Sequence, residues 1–165
     1  MILASPHLRT METAELVAKQ IGSAIIPTPW LHEIFLDKNE IEVFKGCNAK
    51  DLQKFFPHVI ENVSMEEIWW ATMVENREMV YQRVLKGITE YLKNAKEDIL
   101  LVGHAVSIGA VLDYFHLRED GLLWNCCLSR YDTNHPEYNF FNDVTFLPEH
   151  MVSSNKVMRM DIDSV

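Results

Sequence analysis

The sequence predicts an α/β domain with a mostly parallel sheet, on three observations. The apolar run Met1 to Ala4 is broken by Ser5-Pro6 and followed by a helical pattern. A second apolar run, Ile99 to Val102, ends at Gly103 and is followed at once by helical periodicity. Between the two, short apolar runs alternate with amphipathic segments, as strands do when helices cover both faces of their sheet.

The elements follow in order. Thr10 to Ile21 reads as a helix with Met11, Ala14, Leu16, Val17 and Ile21 as its apolar stripe, and Gly22 suits its C-terminal stop. Ile25-Ile26, closed by Pro27 and Pro29, is a short strand. Trp30 to Asn48 is irregular and charged, a surface loop of the kind that often carries function. Ala49 to Phe56 is a short helix ended by Pro57. The longest periodic segment runs from about Met65 to Lys93. Met73, Val80, Val84, Ile88 and Leu92 fall on its apolar face, and Glu75, Arg77, Arg83 and Lys86 fill the others. Ile99 to Val102 is a continuous apolar run after two acids, which predicts a strand buried on both faces. Val106 to Phe115 is helical, and strands are expected near Cys127 to Tyr131 and Phe140 to Phe146. No linker or repeat divides residues 1–165, so a single domain is expected.

Composition narrows the function. The chain is 48% hydrophobic and 24% charged, which is a globular balance. Fifteen Lys and Arg against 24 Asp and Glu give a net charge of −9, a field that repels nucleic acid and anionic membranes. A small anion is still admissible where a few cations converge. Cys47, Cys126 and Cys127 lack the spacing of a zinc or redox motif and read as reduced thiols of a cytoplasmic protein. No apolar run approaches the ~18 residues of a membrane span. The seven histidines do not fall at metal-ligand spacings, so neither metal nor cofactor is expected.

Three residues could carry chemistry. His104 follows a buried strand and Gly103 at the start of a helix, where a ligand would meet the Ala105 amide, the helix dipole and an imidazole together. The competing reading is a satisfied histidine in a turn. Arg9 would project from the same sheet edge if the two strands are parallel neighbours, and its guanidinium suits phosphate or carboxylate. Alone, it reads better as a first-turn arginine paired with Glu12 or an outside acid. Glu33 lies among Leu31, Ile34 and Phe35, surroundings that raise a carboxyl pKa, but Glu40 and Glu42 are nearby rivals and a solvated loop carboxylate is the alternative. Trp69, Trp70, Phe35 and Phe44 suggest an aromatic pocket lining, against a plain core role.

Taken together, SPHLRTMETAE, the LHE of TPWLHEIF, LLVGHAVSIGAVL and NFFNDVTFL resemble, in that order, segments of the histidine phosphatase superfamily, the phosphoglycerate mutase-like proteins. The resemblance implies a three-layer α/β sandwich. It implies Arg9 and the Ala105 N–H as phosphate contacts, Glu33 as proton donor to the leaving oxygen and His104 as the second phosphate-binding histidine. Alanine at 105 departs mildly from the family's glycine but keeps the backbone donor. The larger departure is that no Arg-His-Gly occurs in the chain, although that family motif bears the phosphorylated histidine. The expectation is therefore an N-terminally incomplete domain lacking its first strand and helix. A truncated sequence is preferred over a segment supplied by another chain or a degenerate remnant. The missing strand would neighbour the one presenting His104, so Ile99 to Val102 would be exposed, and an incomplete sheet would favour a homo-oligomer.

The implied function is phosphomonoester hydrolysis through a phosphohistidine in the intact protein, acting on a small phosphorylated metabolite, with this chain inactive for want of the nucleophile. The alternatives are a non-catalytic anion-binding or interaction domain, a phosphoglycerate mutase-type phosphotransferase, and a small-molecule-binding α/β domain unrelated to the family.

Overall fold

The computed structural model describes residues 1–44, 47–60, 69, 71–95, 97–117 and 123–154. They fall into two compact units, Met1–Val111 and Leu112–Val165.

The first unit is built on a parallel three-stranded sheet in the order β2-β1-β3, formed by β1 (Ile2–Ala4), β2 (Ile25–Pro27) and β3 (Leu100–Val102). Ile2, Leu3 and Ala4 pair with Ile25, Ile26 and Pro27 on one side and with Leu100, Leu101 and Val102 on the other. Alternation sends Ile2 and Ala4 to one face and Leu3 to the other. All three are buried, so both faces are covered at the central strand. On the Ile2 face the core continues through Met11, Ala14 and Ala18 of α1 (Leu8–Ile21) and Leu52 of α3 (Ala49–Gln53). Truncating a side chain such as Met11 to alanine there costs about 2–5 kcal/mol.

Helix α1 starts two residues earlier than its periodicity suggests, which brings Arg9 inside its first turn. The Thr10 hydroxyl satisfies the Ser5 and His7 carbonyls at 2.8 Å each. Gly22 ends the helix at φ 65°, its N–H bonded to the Ala18 carbonyl. The buried stripe is Thr10, Met11, Ala14 and Ala18. Leu16 and Ile21, expected in it, are 69% and 62% exposed. They lie on the far side of a helix whose apolar residues outnumber its core positions.

Three other expectations are corrected. The long helix α4 spans Arg77–Leu92 and is started by the Asn76 side chain, which accepts the Met79 N–H at 2.9 Å. Residues 71–76 are irregular, and the predicted portion at 65–68 and 70 lies outside the described residues. Val80, Val84 and Ile88 are buried as expected, while Met73 precedes the helix and is exposed. Strand β3 is only partly buried, because among the described residues it pairs with β1 alone and stands at the sheet edge. The region expected to be loop holds a 3-10 turn at Pro29–Leu31 and α2 (Lys38–Val43), capped by Asp37.

The boundary between the units falls within α5 (Ala105–Tyr114), after Val111. The second unit carries an antiparallel pair, β4 (Leu128–Arg130) and β5 (Phe140–Asp143), and the short α6 (Glu149–Ser154). Phe115 stacks on Tyr131 with centroids 4.2 Å apart, and Asp132 organises the intervening turn by accepting the Asn134 and His135 N–H groups. No helix of the described residues is long and apolar enough to cross a membrane.

Candidate functional site

Three parallel strands end at the same sheet edge, and each delivers polar groups there. After β1 come Ser5, His7 and Arg9; after β2, the segment Thr28 to Glu33; after β3, His104. Ligands of open α/β sheets bind at such an edge, because the loops that follow the strands converge there.

The three residues singled out from sequence meet at this edge. Arg9 Nη2 lies 2.9 Å from His104 Nδ1 and 3.3 Å from Glu33 Oε2, and His104 Nδ1 is 3.5 Å from the same carboxylate oxygen. Arginine has donors only, so His104 Nδ1 must accept. The ring proton then sits on Nε2 and is donated to Ser5 Oγ at 2.8 Å. Geometry thus fixes the tautomer of a buried, neutral imidazole. Burial, followed by the Arg9 charge, depresses the His104 pKa from 6.5 to about 2. The Glu33 carboxyl is raised, mainly by burial, although the Ile34 N–H at 3.0 Å and Arg9 oppose the shift. Glu40, its sequence rival, instead accepts the Leu36 N–H. Ala105 opens α5 and is exposed, so its amide is among the helix's free donors.

Several supporting residues escape a sequence reading. Arg83, expected on a solvent face of its helix, is half-buried. It forks onto Glu75 at 2.8 and 2.7 Å and donates to the Trp30 and His32 carbonyls at 2.7 and 3.3 Å. His32 Nδ1 donates to the Glu33 carbonyl at 2.6 Å, and its other nitrogen faces Glu75 Oε2 at 3.7 Å. Its pKa falls to about 4, through burial and then Arg83. Helix α4 therefore clamps the segment that carries Glu33. A second tie is Ser107, whose hydroxyl accepts the His104 N–H at 3.1 Å and donates to the Leu31 carbonyl at 3.0 Å. Trp30 itself packs on Gly87, where an added Cβ would fall inside its indole ring. Gly103 allows close approach: a Cβ there would meet Ile108 and Ser107 at 3.0–3.1 Å.

His7 is the other residue missed. Its ring lies edge-on to His104 at 4.9 Å and 5.7 Å from both Phe35 and Phe44. Burial and the Arg9 charge lower its pKa to about 4. A histidine inside a segment otherwise read for its arginine was the available signal. Of the expected aromatic lining, Phe35, Phe44 and Trp69 gather on His7 or His32. Trp70 lies outside the described residues. Among those residues no cluster of three or more His, Cys, Asp or Glu side chains is placed to hold a metal ion.

The class is thus an α/β protein with an Arg–His–Glu cluster at the carboxyl ends of parallel strands. Its family follows: the chain belongs to the histidine phosphatase superfamily, branch 1, whose family model matches residues 1–142. Among solved structures it is similar to the ecdysone phosphate phosphatase of Bombix mori, determined in complex with tungstate, at 18% identity and a TM-score of 0.54. The match covers 79% of this chain and 51% of that one, so the chain spans about half the length of the structure it resembles. No curated protein matches.

Proposed function

We propose that this chain supplies the phosphate-binding and proton-donating part of a phosphohistidine-type phosphomonoester hydrolase. The convergence of Arg9, Glu33 and His104 carries the reading, and membership of the histidine phosphatase superfamily supports it. In this role the Arg9 guanidinium binds the phosphoryl oxygens, joined by the Ala105 N–H at the start of α5. A bound dianion reverses the local field: it draws Arg9 from its present partners and favours protonated forms of both His104 and Glu33. His104 then becomes a donor to the phosphoryl group. Glu33, already raised by burial, protonates the departing alkoxide. The complex of a fold relative with tungstate, an oxyanion, is consistent with such a site.

The family's nucleophile is the histidine of Arg-His-Gly, a motif absent from these 165 residues. The chain by itself is accordingly an oxyanion binder without turnover. Calorimetric titration of the 165-residue chain with vanadate and inorganic phosphate tests the reading. Binding that weakens about tenfold or more in Arg9→Ala is expected, matching the loss of a charge-assisted contact. Binding indifferent to Arg9→Ala refutes the phosphate role. Hydrolysis of p-nitrophenyl phosphate by the same chain, abolished in His104→Ala, refutes the absence of turnover.

A further inference from the structure

Beside the polar cluster, still within the first unit, lies a cavity of about 490 Å³. Arg9 and His7 belong to its wall as well as to the cluster, so the two share a boundary rather than merely lying near each other. Its remaining wall is dominated by the aromatic rings of Phe35, Phe44, Phe55 and Trp69. Two of these rings are poorly covered, Phe44 being 44% and Phe55 76% exposed. Aromatic surface left open on a concave wall is what an apolar ligand group would cover.

Charge further restricts the occupant. Among the described residues Arg9 is the cation of the cavity wall, whereas Glu12 and Asp51 place carboxylates on it. One phosphate held by Arg9 is accommodated. A second phosphate carried into the cavity would face those acids and the aromatic rings. His7 offers a ring face there, stacked against Phe35 at 5.7 Å. Glu33, 3.3 Å from Arg9 Nη2, is within reach of a phosphate ester held on the same guanidinium.

We infer that the site selects phosphate monoesters of a bulky aromatic or polycyclic alcohol, with the single phosphate on Arg9 and the apolar group in the Phe35–Phe44–Phe55–Trp69 cavity. The inference rests on the phosphate-binding reading above and adds the alcohol to it. Sugar phosphates and bisphosphates are poor ligands for the same reasons, lacking the apolar area or carrying the second charge.

Isothermal titration of the 165-residue chain with 1-naphthyl phosphate, glycerol 3-phosphate, inorganic phosphate and 1-naphthol separates the contributions. The expected result is 1-naphthyl phosphate binding at least about tenfold tighter than glycerol 3-phosphate, since stacking and apolar burial act on the first alone. In Phe44→Ala and Phe55→Ser, both at exposed positions, that ratio falls towards unity. Equal binding of the two esters overturns the alcohol preference while leaving phosphate binding intact. A ratio that survives both substitutions also overturns it. If 1-naphthol binds as tightly as its phosphate, or no anion binds, Arg9 has no part and both readings fall.

Discussion

Replacing Arg83 with methionine is the sharpest test of how the fold holds the site. Glu75 is 9% exposed and receives both prongs of the Arg83 guanidinium, at 2.8 and 2.7 Å. The same guanidinium closes onto the Trp30 and His32 carbonyls. Methionine keeps much of the stem's volume but leaves a buried carboxylate without its fork. Breaking one side of such a pair costs about 3–5 kcal/mol, a large part of the roughly 5–15 kcal/mol that holds a domain together. At an m-value of about 2 kcal/mol per molar, the urea midpoint should fall by about 2 M. Removing the carboxylate as well, in Arg83→Met/Glu75→Met, should restore most of the loss, because the penalty lies in the orphaned charge. His32 adds a further signature. Arg83 depresses its pKa while Glu75 raises it, so without Arg83 the ring protonates more readily and can pair with Glu75. The single variant should therefore lose less stability, relative to wild type, at pH 5.5 than at pH 8. The measurement is urea unfolding followed by tryptophan fluorescence. A loss below about 1 kcal/mol, or a double variant no more stable than the single, would refute the buried-clamp argument.

Other outcomes follow from the same geometry. Gly87→Ala should cost about 1–3 kcal/mol in urea unfolding, because its Cβ must displace the Trp30 indole, and an unchanged midpoint would show that the ring yields freely. Buried neutral His32 and His104, with pKa values of about 4 and about 2, bind protons less readily than the unfolded chain, whose histidines titrate near 6.5. Their contribution is complete above pH 6.5 and is lost as pH falls towards 4, by up to about 1.4 kcal/mol per pH unit for each ring. Glu33 acts oppositely, contributing stability below its unfolded pKa of 4.5 that is lost as pH rises through its raised folded value. The pH titration is therefore run in Glu33→Gln, where stability that stays flat from pH 7 to 5 contradicts the burial of the rings. Ala105→Pro tests the backbone donor in isolation: proline is tolerated at the first position of a helix but has no N–H. Vanadate affinity should fall about fivefold with the urea midpoint nearly unchanged, and undiminished affinity would remove the amide from the site.

Much of the cluster was legible because it depends on residue type and on position relative to strand ends. Arg9 and His104 each follow a short apolar run, and parallel pairing of those runs through Ala4 and Val102 puts both at one edge. The clamp was not legible. Arg83 and Glu75 satisfy every rule for solvent-facing residues of an amphipathic helix, and only the start of α4 at Arg77 places Glu75 outside the helix, where it can meet Arg83. The helix stripes were over-read for a related reason: Leu16 and Ile21 are apolar but face away from the sheet.

By itself, the sequence determined which chemistry was available: one guanidinium, one imidazole and a choice of carboxylates, delivered by strand-to-helix turns. Tertiary structure decided which carboxylate and in what state. Arg9 and His104 are 95 residues apart, and only strand pairing brings them to 2.9 Å. That contact assigns the His104 proton to Nε2, because a guanidinium can only donate. Burial then holds the ring neutral and raises the Glu33 carboxyl. Spacing along a chain carries no information on desolvation or on contacts between distant turns, and those two effects set the ionisation of the site.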